Sequence, residues 1–553
     1  MKTTKLIWIV LACSLLVTSC TNTPNHKDSN TMEDIYTDPI ILRVPYSYSD
    51  IELPEGDVGE ENFMSRYIYE KTGIIIQYSW DAGGEEQYNT KIDLAIRSND
   101  LPDMFIVNRK QLYYLVQQDM IADLSEVYEE HSSELVKSIY DATDGKALEE
   151  ATIDQKLYAL PNVGIEADAP TYLWVRQDWL DKLNLPEPRT LEDIENISYT
   201  FIHEDPDENG KDDTIGIPVE KSLVYQDKTG VFGLNSFFSA FHSFPQNWIV
   251  NSEGILVYGS IQEETKQALI RLAEWYEKGI IDRDFMIRKD ASIPVTENQM
   301  GIIFAPWWAP FWPLNGSVSK DTKAEWNVFA VPISEQGQFI TKTSPITDRY
   351  LVVRKNYSNP EVAIKLLNLT TRLERHEGID DESSEMIRVT AQQMGIQLRN
   401  YFPFDLLLDD PDGVTKRYDT LIQAMNGEID VTTLNSELEK LYEHVIQDTE
   451  QPKKDMEAWS NTQAYLLGGK ISKEPIVMVE SYNIEHTEAY EEYWDTLISI
   501  EMDYFLKIIT GELPIEAFDQ FVEEWFSSGG IYVLKEATQA YESQSESNMK
   551  RIW

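Results

Sequence analysis

A chain of 553 residues is too long for one ordinary hydrophobic core and long enough for two or three. Its 95 acidic and 47 basic residues leave a net charge of -48, which argues against the basic footprint that nucleic acid requires and disfavours broad attraction to anionic polymers, although a few local arginines could still bind one carboxylate. Seven histidines with no close pair make imidazole metal chemistry unpromising.

The first 20 residues, MKTTKLIWIVLACSLLVTSC, set Lys2 and Lys5 before an apolar stretch from Leu6 to Val17. That stretch is too short to span a bilayer permanently and has the layout of a secretory signal, residues 1–19. The closing VTSC resembles the bacterial lipobox, in which Cys20 receives a diacylglyceryl thioether and becomes the first mature residue. Cys13 would leave with the signal, so no intrachain disulfide is expected. The lipidated N-terminus and a polar, aperiodic tether cover 20–37, and acyl chains then hold the protein on the extracellular face of the cell membrane. No later segment has the ~18 consecutive apolar residues of a spanning helix.

Beyond the tether, PIILRVPYSY (39–48) reads as a buried strand. EENFMSRYIYEKTG follows as a helix closed by Gly73, then GIIIQYSW (73–80) as a strand, QYNTKIDLAIRS (87–98) as a helix and DMFIVN (103–108) as a strand. This alternation is the rhythm of a parallel α/β layer, whose ligands meet the carboxyl ends of strands and so place Trp80, Asp81 and Asn108 near a candidate rim. In YLWVRQD, Tyr172, Trp174, Arg176 and Asp178 alternate, so as a strand they share one face. Thr190 and Asp193 form a capping box at a helix start. TIGIPVE reads as extended, and IQEETKQALIRLAEWYEKG as an amphipathic helix stopped by Gly279. MGIIFAP (300–304 in its strand part), NVFAVPI (327–333) and RYLVVRK (349–355) read as strands, and NPEVAIKLLNLTT as a helix with Asn359 as cap and Pro360 at its first position. From 375 onward the pattern is mainly helical, ending in AFDQFVEEWFSSGG and a polar tail.

The lipobox, SNDLPDMFIVN, LYALP with YLWVRQDWLDKLNLPEPRTLEDI, the acidic loop DPDENGKDDTIG, AEWYEKGIID, MGIIFAPWW and FDQFVEEWFSSGG resemble, in that order over nearly the whole chain, the LipO-like extracellular solute-binding lipoproteins of bacterial carbohydrate importers. The resemblance implies a two-lobed α/β fold of the type II periplasmic-binding-protein kind, with hinge strands and an extended helical C-terminal part. It implies lobe one at 38–154 and 340–375, and lobe two at 155–339 and 376–553. It also implies a monomer that performs no chemistry, closes on an oligosaccharide and hands it to the permease subunits of an ABC importer, touching the membrane through its lipid alone.

For the ligand, Trp307, Trp308 and Trp312 stand among Pro306, Pro310 and Pro313, which prevent a helix interior there. Indole faces so presented suit the C–H faces of pyranose rings. Trp174, Arg176 and Asp178 offer an aromatic, a guanidinium fork and a carboxylate for vicinal hydroxyls, against the simpler reading of a salt bridge. Trp80, Trp248 and Tyr258 complete the candidate set. In DPDENGKDDTIG, Asp205, Asp207, Asn209, the Lys211 carbonyl and Asp213 fall at five of the six ligand positions of an EF-hand loop. Gly216 replaces the closing glutamate, so a structural calcium ion would need another ligand, such as water, Asp212 or Glu220; the metal-free alternative is an Asp/Asn/Gly surface turn. A carbohydrate-active hydrolase or lyase is the competing function. Among so many acidic residues, paired carboxylates carry no information, and no GxSxG, HExxH, GxxxxGK or GxGxxG motif stands out.

Overall fold

The structure, a computed structural model, describes residues 35–46, 51–224, 230–377, 381–394, 397–482, 484 and 487–552. The expected signal segment, Cys20 and most of the tether lie outside them. Two lobes, each with its own core, carry the described residues, and an extended helical region completes the second.

In the first lobe the strands Ile40–Tyr46 and Ile74–Asp81 pair in parallel, as the βαβ rhythm requires. The helix between them, Phe63–Thr72, ends where Gly73 takes a left-handed φ of 75° and returns its N–H to Tyr69. The strand Met104–Val107 joins through Arg43 and Asp103, whose backbone groups bond at 2.8 Å. The strand Tyr350–Val353, from far along the chain, then runs antiparallel between Met104–Val107 and Leu160–Pro161. The layer is therefore mixed, its parallel start continued by antiparallel strands. The first core also extends past the expected boundary at 375. Ile387, Tyr401, Phe402, Phe404 and Leu408 are buried in it, Tyr401 lies edge-on to Phe63 with centroids 4.8 Å apart, and Ser384 hydrogen-bonds Tyr67 at 2.9 Å.

The second lobe centres on Tyr172–Arg176, flanked antiparallel by Ile302–Ala305 and Trp326–Phe329. Period-2 alternation sends Leu173 and Val175 to one core and Tyr172 and Trp174 to an adjoining one. The helix Leu191–His203 starts at the Thr190–Asp193 capping box, and Glu263–Lys278 stops at Gly279, φ 73°. The helix Val362–Glu374, in the first lobe, begins after Glu361, two positions beyond the expected Asn359 cap, because a turn from Asn359 and Pro360 precedes it. The region after 375 is not helical throughout. Ile476–Val479 pairs in parallel with Phe339–Lys342, and Ser481–Tyr482 pairs with Trp248–Val250. The polar tail continues as the helix Ile531–Ile552.

Three stretches of chain cross between the lobes side by side. Val163 donates its N–H to Leu407 O at 3.1 Å, Gly164 to Ile346 O at 2.8 Å and Glu166 to Pro411 O at 3.0 Å. The Asn162 carboxamide oxygen accepts from the backbone N–H groups of Asp348 and Arg349, each at 3.0 Å, and its nitrogen donates to Asp348 Oδ1 at 2.6 Å. Gly164 is required by close approach, because a Cβ there would sit 2.6 Å from Pro345 O.

Candidate ligand-binding cleft

A cleft of about 940 Å³ opens beside these crossings. Its floor is backbone-rich, with Gly164, Ile165 and Ala169 from one crossing, Thr343 to Ile346 from the second and Pro411 from the third. One wall comes from the first lobe and is polar: Arg109, Thr143, Asp144, Lys146 and Glu150. The facing wall belongs to the second lobe and is aromatic, formed by Trp248, Tyr482, Tyr490 and Tyr541 with Met478 and Ile484.

Local chemistry positions both walls. Asn108 caps the helix Arg109–Gln117 through a capping box with Gln111, which delivers Arg109 to the end of the strand Met104–Val107. Arg109 pairs with Glu150, and its guanidinium lies 5.9 Å from the Tyr350 ring centroid. Opposite, Tyr482 sits across from Trp248 in the strand pair, and its ring meets Tyr541 edge-on at 4.8 Å. Tyr482 donates its hydroxyl proton to Glu480 Oε2 at 2.8 Å, and burial followed by that bond pushes its pKa up. Trp248 is 2% exposed, packs at 5.1 Å on Tyr258 and at 6.3 Å on Trp494, and its indole N–H has no hydrogen-bond partner. Glu166 has a raised pKa, from burial first and then from Asp412 beside it, while Lys146 pulls it down.

Of the nine side chains expected to hold ligand, only Trp248 lines this cleft. Trp307 is 6% exposed because the segment around Tyr465 packs over it at 5.3 Å, and it donates Nε1–H to Asp168 Oδ1 at 2.8 Å. Burial raises the Asp168 pKa to about 6, against the pull of that indole. Trp308 is half-buried against the same core, and Trp312, 47% exposed, meets Phe232 edge-on at 6.0 Å. Trp174 is fully buried and donates to Pro306 O at 3.1 Å. Arg176, 1% exposed, forks onto Asp178 at 2.8 and 2.7 Å and reaches Asn298 at 2.8 Å, so the competing reading of a salt bridge describes this pair. Asp178 lies in the first turn of the helix Gln177–Leu183, off the strand. Tyr258 is buried and donates to Glu501 Oε2 at 2.7 Å. Trp80 packs edge-on against Tyr88 at 5.3 Å, with Lys91 5.8 Å above its ring. The sequence reading missed Arg109, Asp144, Lys146, Tyr482 and Tyr541; the strand end before Arg109 was the one available signal.

Among the described residues no group of three or more His, Cys, Asp or Glu is arranged as a metal site. The acidic loop nonetheless keeps its oxygens together. Asn209 bridges Asp207 Oδ2 at 2.6 Å and Asp213 Oδ1 at 2.9 Å through its amide nitrogen, and Gly210 donates to Asp205 Oδ2 at 3.1 Å. Asp205 Oδ1 is buried without a partner, and Asp207 has a raised pKa from burial and then from Asp205. Glu220 has a raised pKa from burial first and then from Asp290, with none of the loop carboxylates among its causes.

A sequence profile described as bacterial extracellular solute-binding protein matches residues 67–377, more than half of the chain. The chain belongs to this family. Its members bind solute without transforming it. This solute-binding protein is 21% identical over 546 residues to the Bacillus subtilis lipoprotein LipO, covering 97% of this chain and 98% of LipO. It is 23% identical over 402 residues to the polygalacturonan/rhamnogalacturonan-binding protein YtcQ of the same organism, covering 70% and 71% of the two chains. Its fold matches that of an EF-hand mutant of the Streptococcus pneumoniae ABC-transporter substrate-binding protein FusA in complex with fructo-nystose, with a TM-score of 0.62, 16% identity and coverage of 92% and 100%. Among the described residues no helix is long and apolar enough to cross a membrane.

Proposed function

We propose that this solute-binding protein is the receptor of an ABC importer, captures an oligosaccharide between its lobes and delivers it to a membrane permease while tethered through Cys20. The observation that carries this reading is the cleft itself, an aromatic wall facing a polar one across three hinge crossings. Tyrosine and tryptophan faces accept the C–H faces of sugar rings, and side chains such as Thr143 and Asp144 take the hydroxyls. Closure would bring the two walls onto one ligand, giving a permease a loaded shape to recognise. The descriptions of the relatives support sugars of differing chemistry: YtcQ binds polygalacturonan and rhamnogalacturonan, and FusA is seen with fructo-nystose.

The test is calorimetric titration and thermal shift with a panel of oligosaccharides, followed by chromatography of the recovered sugar. A raised melting temperature with intact sugar, lost in Trp248→Ala, is expected. Cleaved sugar would establish the competing hydrolase or lyase, and no response across the panel would end the carbohydrate reading.

We further propose that calcium binds at 205–213, held by Asp205, Asp207, Asn209, the Lys211 carbonyl and Asp213, with water in place of the missing glutamate. The unpartnered Asp205 Oδ1 supports it, and FusA carries an EF-hand by the description of its mutant. The ion would pin the loop that follows the helix Leu191–His203 and would take no part in ligand capture.

A further inference from the structure

We infer that the cleft is built for a neutral oligosaccharide and discriminates against polyuronates, an inference that rests on the carbohydrate reading above. The charges that line it are four carboxylates, Asp144, Glu150, Glu166 and Glu480, and two cations, Arg109 and Lys146. Arg109 is the one guanidinium among the described lining residues, and it is committed: Glu150 pairs with it on one side and Tyr350 lies against it on the other. A uronate carboxylate entering the cleft would have to compete for that fork with Glu150, a carboxylate already paired to it from the same wall.

The remaining carboxylates come from different elements and converge on the same space. Glu166 rises from the first hinge crossing with Asp412 beside it and Asp410 close by, and Lys416 answers Asp410 at 2.6 Å from outside the cleft. Glu480 holds the aromatic wall in place through Tyr482. Lys146 already acts on Glu166. A polyuronate brings one negative charge with every ring into this surplus, in a chain whose net charge is -48, so both the local and the long-range field oppose it. A neutral sugar meets the same carboxylates as hydrogen-bond acceptors for its hydroxyls, which they accept without any change of charge.

The experiment uses the full-length chain in mild detergent, titrated with matched-length neutral oligosaccharides (fructo-, xylo- and gluco-series) and uronates (oligogalacturonates and alginate oligomers), each with and without a chelator. At least one neutral series is expected to bind, with uronates weaker by about tenfold or more at low salt and the gap narrowing as salt rises. The double variant Asp144→Asn with Glu480→Gln is expected to shrink the neutral-to-uronate ratio by about tenfold. Uronates binding as tightly as or tighter than every neutral series, including chelator-sensitive uronate binding, would overturn the inference and leave the carbohydrate reading standing. A ratio unmoved in the double variant would remove the carboxylates as its cause. Failure of both series would take the carbohydrate reading and this inference together.

Discussion

Glu501 is a carboxyl with nowhere to put a charge. It lies on the helix Glu488–Ile509 and is fully buried; Oε2 accepts the Tyr258 hydroxyl proton, while Oε1 has no hydrogen-bond partner. Burial raises its pKa from 4.5 to about 7 against the pull of the Tyr258, Ser260 and Gln246 side chains, and no charged neighbour adds to that pull. The folded state therefore holds this proton more strongly than the unfolded chain does. The protonated group costs nothing below pH ~4.5, stability falls as pH rises from there, and the loss is complete above about pH 7. At 1.36 kcal/mol for each tenfold change in proton affinity, the full cost is about 3 kcal/mol. Glu501→Gln keeps the shape and an acceptor for Tyr258 but cannot ionise. Calorimetric melts at about pH 5 and about pH 8 are expected to coincide for the two proteins at the lower pH and to separate at the higher, the variant melting several degrees above wild type. Asp168, raised to about 6 by burial, shifts both proteins alike and drops out of the difference. An equal gap at both pH values, or a less stable variant at about pH 8, would refute the reasoning.

The tryptophan loop offers a contrast within a few residues. Trp307→Phe removes one indole donor to partly buried Asp168 and should cost about 1–3 kcal/mol in denaturant melts, whereas Trp312→Ala, at a half-exposed ring, should cost about 1 kcal/mol or less. At the hinge, Gly164→Ala drives a Cβ toward Pro345 O and should destabilise by about 1–3 kcal/mol while weakening sugar affinity, both read by thermal shift with and without ligand. For the acidic loop, a chelator should lower the melting temperature, and Asp205→Ala should abolish that response; a free calcium level 100-fold above its dissociation constant corresponds to about 2.7 kcal/mol.

What could be read from the residues divides along the distance over which each decision is made. Gly73, the Thr190–Asp193 box and Gly279 act within one turn of chain, and the elements they bound stand where the spacing puts them. IVMV and SY were not legible as strands, because such short pieces gain their identity only from Phe339–Lys342 and Trp248–Val250. The site was harder still. Arg109 and Tyr541 face one space from opposite ends of the sequence, and no periodicity links them. Trp307 has the composition of a sugar platform but is covered by Tyr465, whose place depends on tertiary packing alone. Trp248 was within reach only through the aromatic-rich stretch GLNSFFSAFHSFPQNW that ends at it, since its strand Trp248–Val250 is too short to read.

The triple crossing decides how the protein can come into being. Val107 finds its strand neighbour in Tyr350, and the first core closes only when the stretch ending at Leu408 is present, so the N-terminal lobe waits for most of the polypeptide to emerge. The second lobe waits longer, since Trp248 pairs with Tyr482 and packs on Trp494. Neither half can mature until most of the chain has been made, and assembly dominated by such distant partners is slow. Cutting the gene at any of the three crossings would separate strands that pair in the folded protein, so the two halves must be made as one.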